Sequence, residues 1–532
     1  MDLTALAVLI TIIFTIIIVV TMLSKIQQTK NLKAKILASF GSVPSGEDVD
    51  IESVAKYAKN IAHHDLRLDH ITWNDLDMDS VYKRINACFS SVGEEYLYNT
   101  LHEIKFDKAE LLERERLIQF FEENSTARFD AQVALANLGK SDNNGIAALL
   151  FDADLKLLAM PYVYKILSVI PLVFLVVMPF NMAIGVIGIA LSFIINMIFH
   201  YRTMGYAELE MPAVNYFASV LNCCGKLYKI DLVSKLPIME SLQQHFNVFK
   251  RAMAKAPASV GIYINILFLL DARYYNDFAR LITAHKQAFH QVYKTIGEID
   301  TALSVLSFRK SLPAFSTPQF CDNNALDFEE IYHPLIQKPI TNTHKFSNDS
   351  LITGSNASGK STFIKTLAIN GIMAQTIHTC TAQKFVTRIA MTVTSMAMRD
   401  DLFGGESYFI VEIKSLKRIV DLTAKYPCIC YVDEILRGTN TVERIAASAA
   451  ILTYLNKQDC LCVVASHDIE LTQLLSHDNY HFCEQVTDND IAFDYKLKQG
   501  ATTTRNAIKL LDFMGFEHEI VSHAKVLVVS RE

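Results

Sequence analysis

The sequence lacks a basic excess. Its 532 residues include 50 Lys or Arg against 56 Asp or Glu, a formal net charge of −6. Overall charge therefore supplies no pull on nucleic acid, and any such contact has to rest on a local patch. A disulfide framework is also missing. The ten cysteines are scattered, and Cys428/Cys430 and Cys460/Cys462 fall in apolar, strand-like runs without the ligand spacing of a zinc site. They read as reduced thiols of an intracellular protein. There is no internal repeat and no low-complexity segment, which excludes a repeat architecture.

Charge is absent from two long stretches. Leu3–Ser24 carries none, and Thr11–Val20 is almost solidly Ile, Phe and Val. Such a run can cross about 30 Å of hydrocarbon. It lacks the basic start and small-residue cleavage site of a signal peptide, so an uncleaved anchor is expected. The run from Ile166 to Phe199 is uncharged as well, with Pro179-Phe180-Asn181 near its middle. At ~1.5 Å per residue it is too long for one span and sufficient for two short ones, which predicts a transmembrane helical hairpin. Lys25, Lys30, Lys33 and Lys35 follow the first span, while Lys165 and Arg202 flank the hairpin. The positive-inside rule then predicts three spans, with the N-terminus outside and everything after the anchor otherwise cytoplasmic: a multi-pass membrane protein. Ala256–Leu270 is too short to span and is expected to be a buried helix.

Polar GSVPSGEDVD at 41–50 reads as a linker. Ile85–Leu97 and Ala109–Phe121 show helical spacing, as does most of 204–310. From about 325 short β-type runs alternate with helical ones. Ile429–Val432 and Leu461–Ala465 each end in polar, functional-looking residues, the mark of a parallel α/β sheet with its site at the carboxyl edge of the strands.

Gly354–Thr362 reads GSNASGKST, a G-x-x-x-x-G-K-S loop between the apolar Leu351-Ile352-Thr353 and the helical pattern Phe363–Ile377. A strand, a glycine loop and a helix N-terminus surround phosphates with backbone N–H groups. Lys360 is expected to reach the β- and γ-phosphates of ATP, and Ser361 to hold Mg²⁺. The strand ending in Asp433-Glu434 supplies a carboxylate suited to direct or water-mediated binding of Mg²⁺, Asp433, and a group to polarise water, Glu434. His467 ends the next strand, where it can sense the γ-phosphate.

Longer segments carry a resemblance. DEILRGTNT at 433–441, ASHDIEL at 465–471, DDLFGGESYFIVE at 400–412 and the phosphate loop itself resemble, in order, the signature segments of the MutS family of mismatch-repair ATPases. INACFSSVGEEYL at 85–97 and IGEIDTALSVLSFRKSLP at 296–313 are similar to that family's helical core and lever helices, and Tyr332-His333-Pro334 to its R-H-P entry to the ATPase domain. The resemblance implies a MutS-like, ABC-type α/β P-loop ATPase domain preceded by an all-α core and lever domain. Gly354, Ser355, Asn356, Ala357, Ser358, Gly359, Lys360, Ser361 and Thr362 would bind the nucleotide. Asp433 and Ser361 would bind Mg²⁺, and Glu434, His467 and Lys360 would be catalytic. Ser407 would reach the partner subunit's nucleotide in a homodimer closed through the ATPase domain.

The family's mismatch-recognition and connector domains find no counterpart in this sequence, and Ser355 stands where the family has Pro. The expected division is an anchor (1–24), a linker (25–50), a first helical part (51–160), the membrane hairpin (161–200), a second helical part (201–322) and the ATPase domain (323–532). Mismatched, duplex or branched DNA is the ligand the family implies. Lys226, Lys229, Lys235, Lys250, Arg251, Lys255, Arg273, Arg280, Lys286 and Lys294 could form a DNA-facing stripe or an ordinary solvated surface. The alternative is a membrane-tethered mechanical or scaffold ATPase acting on a protein partner. A transporter ATPase is disfavoured, since DDLFGGES is not an LSGGQ signature and no charge lies within the spans.

Overall fold

The computed structural model describes residues 3–46, 49–61, 66–141, 145–151, 157–207, 210–243, 261–354, 358–396, 408–437, 439–486, 491–501, 511 and 514–529. They form two compact units: Met1–Ala62 with Asn86–Asn99 and Arg116–Lys310, and His63–Ile85 with Thr100–Glu115 and Ser311–Glu532. Two short stretches of the expected helical region thus pack with Ser311–Glu532.

The first unit is helical among its described residues. Its axis is Lys286–Lys310, buried along most of its length. Phe289 meets Phe217 and Phe278 at ring-centroid distances of 5.2 and 6.0 Å, and Tyr293 stacks on Tyr57 at 4.6 Å. The continuous helix expected over Ile85–Leu97 is broken. Met78–Ile85 and Ser91–His102 are separate helices, because Asp300 accepts hydrogen bonds from the Phe89 N–H (3.0 Å), the Ser90 N–H (2.9 Å) and the Ser90 hydroxyl (2.6 Å). A buried carboxylate here takes up the donors that an open helix start leaves unpaired.

The expected hairpin is present as Pro161–Val177 and Met182–Ala207, turning through 178–181. Its polarity is inverted relative to a soluble fold. Val173, Val176, Ile187, Leu191, Ile195 and Ile198 are exposed, whereas Ser168, Ser192, Asn196 and Thr203 are buried. Asn196 Nδ2 donates to the Leu167 carbonyl (3.2 Å) and the Leu267 carbonyl (2.6 Å). Leu267 belongs to Ile262–Phe268, the helix found within the stretch Ala256–Leu270. The buried helix expected there is found in part: Asn265, Ile266 and the following Leu269 are buried, Ile262, Tyr263 and Ile264 are exposed, and 256–260 lie outside the described residues. Leu3–Ser39 is a helix, but most side chains of its apolar half lie outside the description. Among the described residues one helix, Met182–Thr203, is long and apolar enough to cross a membrane.

The second unit is α/β. Its strands are β1 (Gln319–Cys321), β2 (Leu326–Ile331), β3 (Asn342–Phe346), β4 (Ser350–Thr353), β5 (Lys384–Arg388), β6 (Met391–Ser395), β7 (Cys428–Asp433), β8 (Cys460–Ser466), β9 (Asp478–His481), β10 (Glu484–Val486), β11 (Ile491–Phe493) and β12 (Lys498–Gln499). Six form one sheet in the order β12-β9-β4-β8-β7-β6, parallel except for β12. β4, β6, β7 and β8 are buried at every position, as the long apolar runs of β7 and β8 require of strands covered on both faces. The helix Lys360–Thr376 packs on β6, β7 and β8. His70–Asp75 lies along the edge strand β6. There Thr72 Oγ1 accepts from the Thr394 N–H (3.2 Å), and Asp75 accepts from the Thr394 hydroxyl (2.7 Å) and the Met396 N–H (3.0 Å).

Candidate nucleotide site

The register of the central strands assembles the site. Thr353 pairs with Ser466 and Asp433 with Ala465, so Gly354, Glu434 and His467 leave neighbouring strands side by side. Among the described loop residues, Gly354 and Gly359 have φ of +142° and +99°, conformations that side chains rarely adopt. A Cβ on Gly354 would sit 2.4 Å from the Phe482 carbonyl oxygen, and one on Gly359 2.8 Å from the Tyr495 ring. Gly359 caps Lys360–Thr376, which places the N–H groups of a 17-residue helix at the loop. Lys360 is buried, and its Nζ donates to the Gly354 carbonyl at 2.6 Å.

Asp433 is buried, with Oδ1 lacking any hydrogen-bond partner. Glu434 has φ +60°, and its N–H donates to the Ala465 carbonyl. Both oxygens of its carboxylate are paired. Oε1 meets His467 Nε2 at 2.6 Å, and Oε2 pairs with Arg437. Burial works to raise the Glu434 pKa, but the His467 hydrogen bond and charge, then Arg437 and Lys360, outweigh it and hold the carboxyl below its usual range. Arg444 forks onto Asp468 with Nε at 2.9 Å and Nη2 at 2.6 Å. Ser361 and Thr362 lie in the first helical turn. Ser355, Asn356, Ala357 and Ser407 lie outside the described residues, as do 400–406. The end of the signature segment is described: Glu412 Oε1 accepts from the Arg437 N–H at 3.2 Å.

Sequence reasoning gave no role to Arg437, or to the Arg444–Asp468 pair, although Arg437 stands inside a quoted motif. It also missed an aromatic cleft of ≈ 360 Å³ beside the loop, lined by Tyr332, His333, Thr362, Phe363, Phe482 and Tyr495. Burial first, then Lys365, pushes the His333 pKa down to about 4, so its ring is neutral at physiological pH.

Residues 350–530 match the family description MutS domain V. Residues 350–530 thus carry a domain of the MutS family. The chain is similar to the DNA mismatch repair protein MutS of Thermotoga maritima, 27% identical over 267 residues, covering 48% of this chain and 33% of that protein. The MutS protein of Lysinibacillus sphaericus is 29% identical over 276 residues, 48% of this chain and 32% of its own length. Human MutS protein homolog 4 is 30% identical over 268 residues, 46% and 28% respectively. The chain therefore spans about a third of the length of the curated relatives it matches. The loop, the Asp433-Glu434 strand end and His467 all fall inside the matched domain.

Proposed function

We propose that this MutS-family chain is an Mg²⁺-dependent ATPase held at a membrane. The observation that carries the ATPase reading is the convergence of Lys360, Asp433, Glu434 and His467 at one carboxyl edge. ATP would lie with its phosphates in the loop and its base in the cleft of Tyr332, Phe363 and Tyr495. The neutral His333 ring suits an uncharged base.

The unpartnered Asp433 Oδ1 fits a divalent cation. Ser361 and Asp433 would hold Mg²⁺, which neutralises charge on the phosphates when bound. Lys360 moves from the Gly354 carbonyl to the phosphates. Glu434 starts ionised and paired on both oxygens. A γ-phosphate entering beside it competes for His467 and Arg437 and releases a carboxylate oxygen to orient water. Ser407 would complete the site of a second copy in a homodimer, making nucleotide state readable as subunit geometry.

The membrane reading rests on the inverted polarity of the hairpin, aliphatic outside and polar inside, which suits lipid as solvent. Together with the Leu3–Ser24 run it gives three spans with the ATPase unit cytoplasmic. A reporter fused after Glu532 tests this; an extracytoplasmic signal refutes it. DNA is proposed from the relatives' names. Turnover and binding of the detergent-solubilised protein are measured with homoduplex, mismatched and branched DNA across salt. Salt-dependent binding supports a DNA ligand. No binding, with turnover unchanged, favours the mechanical or scaffold reading on a protein partner.

A further inference from the structure

The sheet also gathers thiols. Cys430 on β7 and Cys460 and Cys462 on β8 present three sulfurs that all lie within 4.8 Å of one another, every residue buried. Cys460 Sγ and Cys462 Sγ are 3.8 Å apart. We propose that these three residues form a binding site for a thiophilic d¹⁰ cation, Zn²⁺ foremost, that ties β7 to β8.

The geometry suits the ion. Zn–S bonds of about 2.3 Å at tetrahedral angles put sulfurs about 3.8 Å apart, the separation of the β8 pair. Soft thiolates select zinc or copper(I) over magnesium or calcium, so the site does not compete for the Mg²⁺ of the nucleotide edge. Sequence spacing hides it, because i,i+2 cysteines on one strand supply only two ligands on one face. The parallel register supplies the rest by setting Cys430 opposite Cys462 and Cys428 opposite Cys460. Cys428 is the fourth corner of this grid, its Sγ now donating to the Tyr426 carbonyl at 3.3 Å. Cys460 opens β8 at the end of the sheet away from Glu434 and His467, and Asp349 anchors the same strand by accepting from the Cys462 N–H at 2.8 Å. Binding would replace three S–H protons, released to solvent, by three metal–sulfur bonds. The ion would then join the strand that ends in Asp433 to the strand that ends in Ser466.

The full chain, purified in detergent without metal-affinity steps, is assayed for zinc by mass spectrometry and then titrated with Co²⁺. The expected result is about one ion per chain and an intense thiolate-to-cobalt charge-transfer absorption. Zinc should protect Cys460 from alkylation while leaving Cys224, buried elsewhere, unchanged. Cys460→Ala should weaken zinc binding by at least about tenfold. The wild-type spectrum and labelling need no variant to fold. Absence of the charge-transfer band, equal Cys460 labelling with and without zinc, or unaltered zinc affinity in Cys460→Ala would overturn the proposal. A Cys430–Cys462 disulfide found in the protein as isolated would also do so.

Discussion

Glu434 and His467 meet at 2.6 Å across the carboxyl ends of two adjacent parallel strands. Glu434 is thereby kept ionised, and His467 is kept within reach of whatever enters beside it. Glu434→Gln should bind ATP with near-normal affinity and lose at least about a hundredfold in turnover. Single-turnover hydrolysis and filter binding measure the two separately, and normal turnover would refute the assignment. Because the Glu434 pKa lies below the ordinary carboxylate range, its contribution is present at neutral pH and fades only as pH falls through that lowered value. The acid limb of turnover should therefore shift upward in His467→Ala.

Gly359 faces the Tyr495 ring at positive φ. Gly359→Ala is expected to abolish detectable nucleotide binding, with a stability cost of about 1–3 kcal/mol. Gly359→Ala combined with Tyr495→Ala relieves the contact but not the backbone conformation, so nucleotide binding should stay impaired. Full recovery in the double variant would place the whole effect on the ring.

Asp300 is fully buried, and burial pushes its pKa from 3.8 to about 6 against the opposing donors Ser90 and Phe89. The folded chain then holds this proton more tightly than the unfolded chain. Stability should fall as pH rises from about 4 to about 6, by up to about 3 kcal/mol, and level off above. Asp300→Asn should flatten that slope in denaturant unfolding followed by helical circular dichroism. An unchanged slope would mean that another group titrates there.

The exposed face of the hairpin gives a partition test. Ile187→Lys or Ile195→Lys places a charge on that face and should cost about 2.5–3.5 kcal/mol of insertion, read as loss from carbonate-washed membranes. Asn196→Leu removes the donor shared by the Leu167 and Leu267 carbonyls and should loosen the hairpin without reducing insertion. Unimpaired insertion of both lysine variants would count against the hairpin as a membrane span.

Local pattern made much of this legible. Leu351-Ile352-Thr353, Ile429–Val432 and Leu461–Ala465 lie within β4, β7 and β8 because unbroken apolar runs need two covered faces. Pro179-Phe180-Asn181 falls in the turn of the hairpin. What could not be read depends on partners distant in sequence. The break between Ile85 and Ser91 follows from Asp300, more than two hundred positions away. The pairing of Glu434 with His467 follows from strand order. The thiol cluster follows from register. None of these has a local signature.

The helix His70–Asp75 closes the open edge of the main sheet by hydrogen bonding to β6. The family match begins at residue 350, but the β6 edge is sealed by a segment encoded some three hundred positions earlier. A fragment cut at the match boundary would carry the phosphate loop, Asp433, Glu434 and His467 and still present a raw strand to its neighbours. The stretch that evolution labels as a domain and the stretch that can be handled alone in a tube are different lengths of chain.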